Sequence, residues 1–379
     1  MNGNGYYSVG AEQFTNRFYA MIKATETNSE LYWHYYDEVF DKVDPGKTHN
    51  LPLRELYKQR AQQLREKYDY LILNYSGGSD SWNILHTFLA NNIKLDCIFT
   101  HHPFKFEGMY TPNTIDRSNY NHYSEWDIVA KKDLEWISKN HPSIRIETGD
   151  WTDNLSDSWI NDDVFSSTLG AMPTVTRSLK AKCFCKAERE LVGAGKTVGS
   201  IYGVDKPYVV EKDNKCFYYF MDRSFMALSN PENPDGVEYF YMTPDFPELA
   251  AAQSYRVFSW FSANPEFRYV LRPGKRFLPR DQFHKECNQY MDIVKSIIYP
   301  DWDGSRFQTE KQWNEPSPQL YGVRPLDTVH LVVPEILSSC AAWKYYWKDY
   351  ASRIDSKFLL GPDDAGYIGS RWYYLGAFQ

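Results

Sequence analysis

Apolar positions between residues 53 and 68 recur at helical spacing: Leu53, Leu56, Tyr57, Ala61, Leu64 and Tyr68, with Arg and Lys between them. Pro52 stands where a first-turn proline is tolerated. The pattern reads as helical from about residue 11 to residue 64. The period then changes. Tyr70-Leu71-Ile72-Leu73-Asn74-Tyr75 is a nearly continuous apolar run, which predicts a buried strand of a parallel sheet. Trp82, Leu85, Phe88 and Leu89 return to helical spacing, and Leu95-Asp96-Cys97-Ile98-Phe99-Thr100 predicts a second strand. A helix over 124–139, a strand near Ile144-Arg145-Ile146, a helix over 177–192 and a strand over 197–202 follow. Strand and helix alternating at this spacing predict an open α/β sheet with right-handed crossovers.

Beyond residue 230 the alternation fades. Pro231-Glu232-Asn233-Pro234-Asp235-Gly236 is a loop, and helical patterns recur over 249–261, 283–298 and 333–350. The expected division is an N-terminal helical segment (1–67), an α/β domain (68–230) and a mainly helical, aromatic-rich C-terminal region (231–379).

The candidate chemistry lies between the first predicted strand and its helix, at Ser76-Gly77-Gly78-Ser79-Asp80-Ser81. This is the junction at which an α/β sheet binds ligands, beyond the carboxyl ends of its strands. Two adjacent glycines let the backbone turn sharply and bring N–H groups close to oxygens. The serines add hydroxyl donors, and the helix that follows points its positive end at the site. A carboxylate beside a phosphate needs a cation between them, so Asp80 is the expected ligand of Mg2+.

These residues resemble the PP-loop of the N-type ATP pyrophosphatases, Ser-Gly-Gly-x-Asp-Ser, at all five defined positions. Chance would produce that match in about one chain in a thousand of this size. The resemblance spans roughly residues 68–210. It implies a nucleotide α-hydrolase fold: an open, mostly parallel five-stranded sheet with helices on both faces. It also implies ATP and Mg2+ as ligands, with the nucleotide cleaved between its α- and β-phosphates to adenylate a substrate. Ser76, Gly77, Gly78, Ser79, Asp80 and Ser81 would hold the phosphates, with Asp80 and Ser81 also in catalytic roles. Thr100 and His101 stand where the family holds adenine. Arg177, at the start of the 177–192 helix, and Lys206, past the fourth strand, are candidates for the basic groups that meet the leaving pyrophosphate.

Other signals narrow the choice. Gly195-Lys196-Thr197 lacks the preceding glycine of a Walker A loop, because position 190 is Glu. Cys183-Phe184-Cys185 has one intervening residue rather than two, and on the predicted helix its thiols diverge, so a structural role is expected. Paired Cys-x-x-Cys motifs and a glutaminase cysteine at the second position are both missing. A looser resemblance to phosphoadenosine-phosphosulfate-reductase-like proteins rests on Thr176-Arg177 and Gly203-Val204-Asp205-Lys206-Pro207. True reductases carry Glu-Cys-Gly, whereas Glu286-Cys287 is followed by Asn288. An adenylating pyrophosphatase is therefore the first expectation. A sulfonucleotide-reductase-like enzyme and a non-catalytic nucleotide sensor are the alternatives. The acceptor is expected to be a small molecule or a nucleobase.

The net charge of −7 leaves no global basic field for non-specific nucleic-acid binding. No stretch approaches the roughly 20 apolar residues of a membrane span. Six scattered cysteines and no secretory signal at the first residues suit a cytoplasmic protein, with a homo-oligomer open. Aromatic residues make up 17% of the 379 positions, enough for ring-rich cores or subunit contacts.

Overall fold

A computed structural model of the chain describes residues 5–48, 51–102, 104, 126–150, 183–203, 205–222, 233–273, 280–307, 352–361, 364–365 and 368–379. The chain opens with β1 (Tyr6–Val9), β2 (Glu12–Phe14), α1 (Arg17–Glu26) and β3 (Leu31–His34), the strands forming an antiparallel sheet in the order β2-β1-β3. The helical pattern expected from about residue 11 to residue 64 is thus broken by β2 and β3. Tyr7, Val9 and Trp33 are buried from this small sheet, whose strands of three or four residues are too short to be read by period. Asn16 caps α1 by accepting from the Phe18 and Tyr19 amides. Arg17 is buried in an ion pair of 3.2 Å with Asp222, to which the Tyr7 hydroxyl also donates.

The predicted α/β alternation is present. α2 (Leu53–Lys67) leads into β4 (Tyr70–Asn74), α3 (Ser79–Ala90), β5 (Cys97–His102), α4 (Lys131–Asn140), β6 (Arg145–Asp150), α5 (Lys186–Gly193) and β7 (Val198–Tyr202). Successive side chains of a strand point to opposite faces. Leu71 and Leu73 accordingly join one apolar cluster with Leu64 of α2, Ile84 and Phe88 of α3 and Ile137 of α4. Ile72 joins a separate cluster with Cys97, Phe99, Val198 and Ala187 of α5. Helices therefore cover both faces of the sheet.

An antiparallel hairpin follows, β8 (Tyr208–Lys212) and β9 (Lys215–Tyr219). Its two turn residues, Asp213 and Asn214, both have positive φ, the backbone that matches the twist of a tight hairpin. β10 (Val237–Tyr239) then adds a fifth parallel strand, so the sheet order is β10-β7-β4-β5-β6. The fifth strand thus comes from the region expected to be mainly helical, and the sheet extends past residue 230. β10 escapes a periodicity reading because it has only three residues.

Arg60 and Glu238 form a buried ion pair of 2.6 Å that fixes α2 to β10, and Lys67 and Tyr68 also donate to Glu238. Two long helices follow, α6 (Pro247–Ala263), which starts with proline in its first turn, and α7 (Arg280–Ile298). Tyr57 of α2 ties all three helices, donating to the Ile298 carbonyl and accepting from Gln253, each at 2.8 Å. β11 (Tyr373–Ala377) returns to pair with β9, so part of the C-terminal region is also strand. The helix expected over 333–350 lies outside the described residues. No helix among the described residues is long and apolar enough to cross a membrane.

Candidate nucleotide site

The chain enters the sheet at β4, steps outward to β5 and β6, and returns beside β4 at β7 before moving out to β10. The direction of winding reverses between β4 and β7. In open α/β sheets ligands bind at such a reversal, beyond the carboxyl ends of the strands. Residues 76–81 are the loop after β4, and residues 203–207 are the segment after β7.

Gly77 has φ +81°, a conformation that costs a side-chain-bearing residue free energy. Gly78 is extended and begins α3, with its carbonyl accepting from the Trp82 amide at 2.9 Å. The Ser81 hydroxyl donates to the same carbonyl at 3.0 Å and lies 3.3 Å from the Ser76 hydroxyl. The Ser76 hydroxyl in turn accepts from the Gly78 amide at 3.1 Å. Ser76 is exposed, Gly78 and Asp80 are half-buried, and Gly77, Ser79 and Ser81 are buried. One side of the loop thus faces solvent.

The segment after β7 is pressed against this loop. A Cβ built on Gly203 would lie 3.0 Å from the Ser81 nitrogen and 3.1 Å from the Asp80 carbonyl carbon. Backbone atoms cannot swing aside as a flexible side chain can, so a side chain here would crowd the loop. Lys206 reaches back so that its Nζ lies 3.0 Å from Asp80 Oδ1, with 3% of its side chain exposed. Asp205 holds that turn by accepting from the Lys206 amide at 2.9 Å and the Tyr208 hydroxyl at 2.6 Å.

Asp80 is also met from the C-terminal half of the chain. Tyr299, just past α7, donates its hydroxyl to Asp80 Oδ1. Tyr241, just past β10, donates to the Asp80 carbonyl at 2.7 Å and accepts from Asn83 at 3.0 Å. Burial pushes the Asp80 carboxyl up, but Lys206, Lys295 and the Tyr299 hydroxyl outweigh it and bring the pKa down to about 2. Asp80 is therefore a carboxylate at neutral pH, with 32% of its side chain exposed.

The chain matches no family model, no curated protein and no solved structure.

Of the residues singled out from sequence, Ser76, Gly77, Gly78, Ser79, Asp80, Ser81 and Lys206 come together here. Thr100 and His101 also fall at this edge. Asn74 pairs with Phe99, and the Tyr75 amide donates to the Phe99 carbonyl at 2.8 Å, so Thr100 and His101 run alongside the step into the loop. Arg177 lies outside the described residues. Sequence reasoning missed Tyr241, Tyr299 and Lys295, which come from loops and helices more than 150 positions downstream of the loop. Tyr241 is signalled only by the aromatic run Tyr239-Phe240-Tyr241, and Lys295 and Tyr299 by nothing local.

A cavity of about 470 Å3 opens farther along α3, against α4, lined by Leu85, His86, Leu89, Asp133, Trp136 and Arg306. It is set back from the 76–81 loop by more than a helical turn. Burial first, then the Arg306 guanidinium, lowers the His86 pKa, so that ring is neutral at pH 7.

Proposed function

We propose that this chain is a magnesium-dependent, PP-loop-type ATP pyrophosphatase that adenylates a small-molecule or nucleobase substrate. The observation that carries the reading is the junction itself: Ser-Gly-Gly-Ser-Asp-Ser lies between β4 and α3, at the point where the sheet's winding reverses. Gly203 lies against its backbone and Lys206 contacts its carboxylate. The five-stranded parallel sheet agrees with the nucleotide α-hydrolase fold that the motif implies.

The residues present fit a nucleotide phosphate and its metal. The Ser76 and Ser81 hydroxyls bond within the loop, and in this reading a phosphate oxygen would accept from them instead. Asp80 is ionised and partly exposed, as a Mg2+ ligand must be. Thr100 and His101, beside the loop, would flank the adenine. Magnesium at Asp80 would supply positive charge to the phosphates.

In this reading a substrate oxygen attacks the α-phosphorus, the bond to the bridging oxygen of the β-phosphate breaks, and pyrophosphate leaves with the electron pair. Negative charge gathers on that leaving group. Lys206 and the positive end of α3 would meet it, and charges fixed before reaction begins are the arrangement that lowers a barrier electrostatically. A nitrogen or sulfur donor would then displace AMP.

Incubation of the full chain with Mg-ATP and panels of acceptors tests this by separating AMP plus pyrophosphate from ADP plus phosphate. The expected products are AMP and pyrophosphate; ADP as the sole product contradicts the assigned bond cleavage. Asp80→Asn should lower AMP formation at least about 100-fold, the scale of losing a preorganised electrostatic group. Asparagine is preferred to alanine because it keeps an oxygen for Tyr299 and Lys206 to contact.

A further inference from the structure

On the sheet face opposite α3, the described part of the core is small. Its buried residues are Ile72, Cys97, Phe99, Cys185, Ala187 and Val198. Within it, two thiols and a carboxylate that are far apart in sequence meet. Cys97 begins β5, Glu147 lies in β6, and Cys185 is the residue before α5. Cys183 and Cys185 therefore precede α5 rather than riding on it, which corrects the expectation that a helix would separate them. We propose that Cys97, Cys185 and Glu147 form a zinc site that pins the start of α5 to β5 and β6.

The geometry favours a metal. One ligand atom from each of the three residues falls within 4.8 Å of the others. The two sulfurs are 3.9 Å apart. Two thiolates on one tetrahedral zinc, each at about 2.3 Å, stand about 3.8 Å apart. A disulfide would require the sulfurs to close to about 2.0 Å. The observed sulfur separation therefore suits a shared cation better than a disulfide.

The carboxylate is already oriented. Glu147 Oε2 accepts from the Lys186 amide at 2.9 Å and the Ala187 amide at 3.4 Å, and the Cys185 thiol donates to it at 3.0 Å. Arg145 pairs with the other oxygen of Glu147. Backbone amides and a guanidinium around a ligating carboxylate are the outer contacts that metal sites use to fix their ligands. Binding would release the two thiol protons. The zinc, two thiolates and carboxylate would carry a net charge of −1, next to the Arg145 cation. Water would complete the tetrahedron from the side where Glu147 is 11% exposed. Such a bond between strand, strand and helix would stabilise a face whose described apolar core is thin.

Spacing alone hid this site, because only Cys185 of the Cys183-Cys185 pair takes part and its partners sit 88 and 38 positions away. Cys183 packs on the same cluster but lies outside the triad. The test is titration of the reduced, chelator-treated full chain with Co2+, then Zn2+. One Co2+ per chain is expected, with thiolate-to-metal charge transfer and tetrahedral visible bands that Zn2+ abolishes. Cys185→Ala and Glu147→Gln should each weaken binding at least about tenfold, with far-UV circular dichroism confirming a folded chain, and Cys183→Ser should bind as the wild type does. Affinity unchanged in a Cys97→Ala/Cys185→Ala double variant, or lost equally in Cys183→Ser, overturns the proposal. Neither result depends on whether the chain uses ATP.

Discussion

Replacing Lys206 by methionine isolates the contact on which the site's electrostatics depend. The ammonium lies 3.0 Å from Asp80 Oδ1 and 3.8 Å from Asp205 Oδ1, so its loss leaves two carboxylates without their shared cation. At 3.0 Å and an effective dielectric near 20, the Asp80 attraction alone is about 5 kcal/mol before desolvation is subtracted. Removing one member of a buried pair costs about 3–5 kcal/mol. A third of the Asp80 side chain meets water, which moves the expectation to about 2–3 kcal/mol. Urea unfolding at neutral pH of the wild type, Lys206→Met, Asp80→Asn and the double variant measures this. The double variant should be more stable than Lys206→Met, because the nearer of the two orphaned charges is gone, giving a coupling of at least about 1 kcal/mol.

The pH dependence has a definite sign. The folded Asp80 carboxyl, at about 2, lies below its ordinary value of 3.8. Its contribution is therefore complete above about pH 4 and is lost as pH falls through about 2. The difference corresponds to about 2 kcal/mol, less a discount for exposure. The stability advantage of wild type over Lys206→Met should shrink across that window. A loss under about 0.5 kcal/mol at neutral pH, or strictly additive variants, refutes the reasoning.

Gly203→Ala should displace the Asp80–Ser81 backbone, which a new Cβ would approach to 3.0 Å. A cost of about 1–3 kcal/mol is expected, with a larger fall in nucleotide affinity than in Gly195→Ala, which is strained by its own φ of +77° but meets nothing nearby. Denaturation and ATP titration of both variants check it. Arg60→Met should cost about 3–5 kcal/mol in urea unfolding, since it leaves Glu238 buried with only Lys67 as a cationic partner. Burial raises the Glu238 carboxyl, but Arg60 and Lys67 outweigh it and hold it below its ordinary value. That pair's contribution is accordingly present at neutral pH and fades on acidification; stability that rises below pH 4 would contradict it.

The sheet was legible where the chain is written in long or strongly apolar elements. β4 read directly because a strand buried on both faces is a nearly continuous apolar run, and β5 and β7 followed from shorter apolar stretches at the spacing of an alternating sheet. α2, α6 and α7 read from apolar stripes. β10 and the N-terminal hairpin strands did not, because three or four residues carry too little period, and their burial is decided by partners far away. The same distinction runs through the site. Ser76–Ser81 is local and visible as a motif, and Lys206 was reachable as a basic residue at a strand end. Tyr241, Tyr299 and the approach of Gly203 to the loop exist only after folding. The Cys97–Glu147–Cys185 cluster is of that kind too, assembled from two adjacent strands and a helix start.

The most direct measurement is a crystal structure of the full chain grown with magnesium and α,β-methylene-ATP, which cannot be cleaved at the bond in question. Phosphate oxygens should lie within hydrogen-bond reach of the backbone amides and hydroxyls of residues 76–81, with the metal on Asp80. A nucleotide bound elsewhere, or none bound while the loop keeps its internal hydrogen bonds, would contradict it.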